Sequence, residues 1–139
     1  MPTEKSVGAI VFHMNGEVKF LLLHYRAGHW DFVKGHIEEN ESEDKTLLRE
    51  LEEETGISDV EILPDFREEI VYYFRNNEET VRKEVVFYIA KSTTMDVTIS
   101  HEHKGFKWLT FGEATKQTTF DNTKGLLKKA NKFLKSHKF

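Results

Sequence analysis

The chain has 139 residues, no cysteine, 38% hydrophobic residues and a formal net charge of −4. That length suits one domain, residues 1–139, with a single real core. The missing cysteines exclude a disulfide framework and thiolate metal sites, and the acidic balance argues against nonspecific binding to nucleic acid. No secretory signal is visible and no apolar run approaches the ~20 residues of a membrane helix, so a cytoplasmic protein with no membrane contact is expected.

The apolar, partly β-branched run from Ser6 to Phe12 predicts a strand. Asn15-Gly16 signals a tight turn, and Val18 to Tyr25 reads as the second arm of a hairpin. Ala27 to His29 is a loop, followed by a short extended piece, Trp30 to Phe32. Ser42 is placed to cap a helix whose first turn holds Glu43 and Asp44 and whose end is marked by Gly56. Val60 to Leu63 is a short strand stopped by Pro64. Phe66 to Phe74 and Val81 to Ala90 alternate and are rich in aromatics, which predicts a second antiparallel pair turning at Asn76-Asn77. Lys104 to Leu109 reads as a strand and Phe111 to Lys116 as a short helix. From Asp121 to Lys138, Leu126, Leu127, Ala130, Phe133 and Leu134 form the apolar stripe of a longer helix. Such a mixture implies an α/β fold, a sheet covered by helices.

The chemistry concentrates between Gly35 and Ile57. On a helix, residues three and four apart share a face, so Glu50, Glu53 and Glu54 lie within about 100° of one another. Leu47 and Leu51 border this stripe, which puts the acids near the buried edge, while Glu52 points away. Clustered carboxylates repel, and a bound cation removes that penalty. Mg²⁺ takes one or two carboxylates plus waters and phosphate oxygens, so the arrangement suits a polyphosphate held against a hard cation. Arg49 is placed to brace the acids, with Glu41 as a candidate partner.

The stretch reads G-x5-E-x7-R-E-U-x-E-E-x-G-U, where U is bulky and apolar: Gly35, Glu41, Arg49, Glu50, Leu51, Glu53, Glu54, Gly56 and Ile57. It resembles the Nudix box at every fixed position. The resemblance implies an α/β/α sandwich with a mixed central sheet, a catalytic loop–helix–loop, and hydrolysis of a nucleoside diphosphate linked to another group with Mg²⁺ or Mn²⁺. It makes Glu50, Glu54 and the Gly35 carbonyl metal ligands and Glu53 a ligand or supporting acid. The general base stays open between Glu54, Glu50 and an acid outside the box.

Residues around the box are similar to those of the asymmetric diadenosine tetraphosphate hydrolases: His29-Trp30, Lys34-Gly35-His36, Ser100-His101-Glu102-His103 and Trp108. The similarity makes Glu102 a further metal ligand or base. It makes Lys34, His36 and Lys83 phosphate contacts, and Phe87 and Phe120 the pair that sandwiches adenine, although Phe87 sits in an alternating strand where a core role is equally open. An aromatic at Tyr72 or Tyr73, with proline only at positions 2 and 64, favours dinucleoside polyphosphates over ADP-ribose. The expected product pair is ATP and AMP, and the expected partner is a small nucleotide acting on a monomer or weak dimer. The alternatives are pyrophosphohydrolysis of a nucleoside triphosphate or of a 5′-triphosphate RNA end, and a catalytically silent nucleotide sensor. Phe32-Val33 replaces the usual prolines before Lys34, and Asn40 stands where glycine is usual.

Overall fold

The computed structural model describes residues 1–137. The strands are β1 (Thr3–Asn15), β2 (Glu17–Tyr25), β3 (Trp30–Asp31), β4 (Val33–His36), β5 (Val60–Ile62), β6 (Glu68–Asn76), β7 (Glu79–Ser92) and β8 (His103–Leu109). The helices are α1 (Glu43–Thr55), α2 (Phe111–Gln117) and α3 (Asp121–Ser136). Lys138, the expected end of the last helix, lies outside the described residues.

All eight strands join one mixed sheet. Its centre is the parallel ladder of β1 and β7, running from Thr3↔Arg82 to Phe12↔Lys91. The other ladders are antiparallel, so among the described residues this is the one parallel pairing. The far edge of β1 is shared: its end pairs with β2 at Phe12↔Phe20, and its beginning with β4 at Val7↔Gly35.

The central strands are buried on both faces, which is why they read as apolar runs rather than clean alternations. Ile10, Phe12, Phe20, Leu22, Val85, Phe87 and Ile89 face one side, where Leu126, Leu127, Ala130 and Leu134 of α3 cover them. Val7, Ala9, Val11, Leu21 and Leu23 face the other, against Leu47 and Leu51 of α1. This is the expected α/β/α sandwich. Each fully buried leucine of α1 contributes roughly 2 kcal/mol to docking the helix.

Local chemistry fixes both ends of α1. Ser42 Oγ accepts the Lys45 N–H at 3.2 Å. Gly56, at φ 76°, donates its N–H to the Glu52 carbonyl at 2.9 Å. In the entering loop Asn40 adopts φ 66°, the left-handed conformation that glycine usually supplies. The strand β4 is the one element absent from the sequence reading. Val33-Lys34-Gly35-His36 has no apolar alternation, and its pairing with β1 is a tertiary contact.

Candidate active site

Strand β4 delivers Lys34, Gly35 and His36 directly beside α1. Gly35 abuts the Glu50 carboxyl so closely that a Cβ there would lie 1.9 Å from Glu50 Cδ. From α1, Glu50 and Glu54 turn toward the sheet. Glu54 is 5% exposed, carried inward with Leu51 and Thr55. Glu53 is exposed instead, and its carboxylate accepts a bond from Arg49 Nη1 at 3.3 Å. Its charge still helps raise the Glu50 and Glu54 carboxyls, as expected of acids on one helix face.

Arg49 is the organiser of the entering loop. Its Nε and Nη2 donate to both oxygens of Glu41 at 2.7 and 3.0 Å. Nη1 donates to Glu50 Oε1 at 2.8 Å, and Nη2 to the His36 carbonyl at 3.0 Å. The expected partnership of Arg49 with Glu41 is thus present as a bidentate pair. It pulls the Glu41 carboxyl down to about 2, chiefly through these hydrogen bonds. A lysine offers a point charge instead of a fork. Arg49→Lys is expected to lower kcat by about 10- to 100-fold while circular dichroism stays native; a kcat within threefold of wild type would overturn this role.

The loop after β7 closes the site. Thr98 N–H donates to Thr55 O at 2.9 Å, and Ser100 N–H to Glu54 O at 3.2 Å. Ser100 Oγ lies 3.2 Å from His103 Nδ1, which leaves the other ring nitrogen, Nε2, 3.9 Å from Glu54 Oε1. Ligand atoms of Glu54, Glu102 and His103 all lie within 4.8 Å of one another. Burial first, then a hydrogen bond shared with Glu102 and the charge of Glu50, push the Glu54 carboxyl up to about 9. Burial also raises Glu50, against the pull of Arg49.

These residues suit a hard divalent cation. Glu54 Oε2 and His103 Nε2 are buried with no hydrogen-bond partner among the described residues, an arrangement that a cation or a proton has to complete. The donors are mainly carboxylate oxygens, the chemistry that Mg²⁺ and Mn²⁺ prefer. His103 had been recognised only as part of a motif; its aim at Glu54 follows from the loop's docking on α1.

Basic side chains share the cavity with the acids. Lys34, Lys83 and His36 line the same cavity of about 420 Å³ as Glu50, Glu54 and Glu102. Lys83 is 8% exposed, and its Nζ donates to Ser6 Oγ at 2.7 Å. Burial lowers its pKa, opposed by Glu4 and assisted by Lys34. His36 Nε2 lies 3.3 Å from Glu4. Tyr25 also lines the cavity, its hydroxyl fixed on the Phe32 carbonyl at 2.6 Å. Ser6, Tyr25 and Glu4 escaped the sequence reading because they are brought here by strand register.

A second cavity of about 380 Å³ adjoins the first and shares Lys34 and Tyr72 with it. Ile70, Tyr72, Phe87, Phe120 and Leu126 supply its apolar lining. Phe120 is 47% exposed, its ring tilted against that of His29 at 5.4 Å. Phe87 corrects the sequence expectation. It is 2% exposed, packs edge-on against Phe32 at 5.9 Å, and covers Gly8, where a Cβ would lie 2.3 Å from its ring. It forms part of the cavity wall and offers no open face for a base; Tyr72, half-buried on β6, lines the same cavity as Phe120.

The model of the NUDIX domain matches residues 2–129. This chain belongs to the Nudix family. Nudix relatives similar over nearly the full length include the asymmetrical bis(5′-nucleosyl)-tetraphosphatase of Rattus norvegicus, 35% identical over 94% of this chain and 95% of that protein. The Caenorhabditis elegans protein of that name is 31% identical over 94% of this chain and 96% of its own. A crystal structure of a C. elegans Ap4A hydrolase binary complex superposes with a TM-score of 0.85 at 29% identity, covering 96% of this chain and 99% of that one. The chain is a Nudix hydrolase, and no helix among its described residues is long and apolar enough to cross a membrane.

Proposed function

We propose that the chain works as one Nudix domain that hydrolyses dinucleoside polyphosphates, with diadenosine tetraphosphate cut to ATP and AMP. The observation that carries this is the pair of contiguous cavities joined at Lys34 and Tyr72: one apolar and aromatic, the other lined by acidic and basic side chains together. A nucleobase fits between Phe120 and Tyr72 against the wall that Phe87 helps to form. The polyphosphate then runs past Lys34 toward Lys83 and His36, which hold its oxygens.

Glu50, Glu54, Glu102 and the Gly35 carbonyl are the groups that would hold Mg²⁺, with Mn²⁺ as a substitute. When bound, such a cation polarises a phosphoryl oxygen and lowers the pKa of a coordinated water. The protein's own part is to orient the chain and to accept a proton. The water oxygen bonds to the phosphorus nearest one adenosine, and the bond from that phosphorus to the bridging oxygen breaks. ATP departs with the bridging oxygen, and a carboxylate takes the water proton. Glu54, Glu50 and Glu102, which line that cavity, are the candidates for that step, and Lys34 and Lys83 offset charge on the departing phosphates.

Hydrolysis of diadenosine tetraphosphate in ¹⁸O water tests the reading directly. With Mg²⁺ present, the label is expected in AMP, and chelation is expected to stop the reaction. Label in ATP would reject the attacked phosphorus. Faster turnover of nucleoside triphosphates or of triphosphate-ended RNA would reject the substrate.

A further inference from the structure

Asp31 is buried beside the proposed site, 3% exposed, and has no assigned role in it. Its carboxylate is fully committed. Oδ1 accepts the Phe32 N–H at 2.8 Å and the Thr123 hydroxyl at 3.0 Å. Oδ2 accepts from Lys34 Nζ at 3.2 Å. The preceding residue reinforces the link: Trp30 N–H donates to Thr119 Oγ1 at 2.9 Å, and Thr119 N–H returns a bond to Trp30 O at 3.3 Å. Phe120 lies between Thr119 and the first turn of α3, which contains Thr123.

Asp31 therefore touches three things at once: the Phe32 backbone just before β4, Thr123 in the first turn of α3 next to Phe120, and the lysine at the junction of the two cavities. A lysine left to itself samples many rotamers and has to be ordered each time ligand binds. A buried carboxylate that already holds Nζ removes most of that cost.

We infer that Asp31 is a positioning residue for substrate: it holds Lys34 at the junction of the two cavities and, through Thr123, fixes that lysine relative to Phe120. This rests on the reading of the cavities as base and phosphate subsites.

Asparagine is the informative replacement. The Phe32 N–H and the Lys34 ammonium are both donors, so an amide NH₂ at position 31 must confront one of them. With its oxygen kept on Phe32 and Thr123, the amide faces the ammonium and turns Lys34 away. Asp31→Asn is expected to raise KM for diadenosine tetraphosphate about tenfold and to lower kcat no further than Lys34→Gln does. Thr123→Val, which cuts only the link to α3, is expected to raise KM about threefold, and Thr123→Ser to bring it back.

Residue Asp31 acts through Lys34, so adding Asp31→Asn to Lys34→Gln is expected to raise KM no further. A carboxylate that merely braced α3 would lower Tm and leave KM unchanged in the single variant, and a tenfold rise that adds in full to that of Lys34→Gln would show that Asp31 does not act through Lys34. Calorimetric Kd values for a methylene-bridged diadenosine tetraphosphate analogue separate the inference from the chemistry. An analogue that binds wild type and Asp31→Asn equally rejects the inference alone. One that does not bind wild type rejects the cavity reading, and the inference with it.

Discussion

Glu54→Gln is expected to lower turnover by roughly three orders of magnitude, the scale on which a positioned acid or base acts, while raising the melting temperature of the chelated protein. The two effects have one cause. The buried Glu54 carboxyl is pushed up to about 9 by burial, by Glu102 and by Glu50. Its value in the unfolded chain is that of an ordinary glutamate, near 4.3. Between those values the folded state keeps a proton that the unfolded state has released. Stability from this group is therefore complete below the unfolded value and is lost as pH rises toward 9. Glutamine has no charge to bury, and its amide donates where the protonated acid would. At pH 8 in EDTA the variant is expected to melt at least about 3 °C above wild type, with the gap closing toward pH 5. Excess Mg²⁺ is expected to narrow it from the other side by stabilising wild type. A variant that melts lower than wild type at pH 8, or turns over near normally, would sink the role given to this residue.

Gly35→Ala is expected to cost about 100-fold in kcat/KM, comparable to losing a residue that supports a metal ligand, and little in stability. The glycine does not occupy a left-handed conformation, so alanine is compatible with the backbone. The obstacle is the Glu50 carboxyl, which would lie 1.9 Å from the new Cβ at its carbon and 2.3 Å at each oxygen. A side-chain end can swing aside cheaply. In doing so it leaves the cavity wall and strains its 2.8 Å bond to Arg49. Thermal melts should shift by only a few degrees, and the Mg²⁺ concentration for half-maximal rate should rise. Kinetics within threefold of wild type would show that Glu50 does not need its present position.

How much of this could be read from the sequence depended on how local the cause was. Ser42 and Gly56 at the ends of α1 are local signals, and both ends fall where they point. A sheet covered by helices was legible from the apolar runs, and the α/β/α sandwich from the resemblance to the Nudix box. The strand β4 was not, since Val33-Lys34-Gly35-His36 becomes a strand only because β1 offers an edge. Spacing placed Glu53 with Glu50 and Glu54, but burial of Leu51 and Thr55 turned Glu54 inward and left Glu53 outside. Alternation put Phe87 on an inward face. Whether protein or ligand would meet that face was decided by Gly8 and Phe32, which belong to other strands. His103 looked like one histidine among several, and its partnerless Nε2 depends on a loop docking at the end of α1.

The parallel ladder at the centre of the sheet also constrains the order in which the molecule can be assembled. Synthesis from the N-terminus releases β1, β4 and α1 early, yet the strand that covers the other edge of β1 begins only near Arg82. Until then the apolar edge and half of each face of β1 have no permanent partner, which is the condition under which nascent chains need protection. The helix α1 therefore packs on an unfinished sheet until the second half of the chain is made, and a truncation before β7 is a candidate for capture by chaperones and proteases.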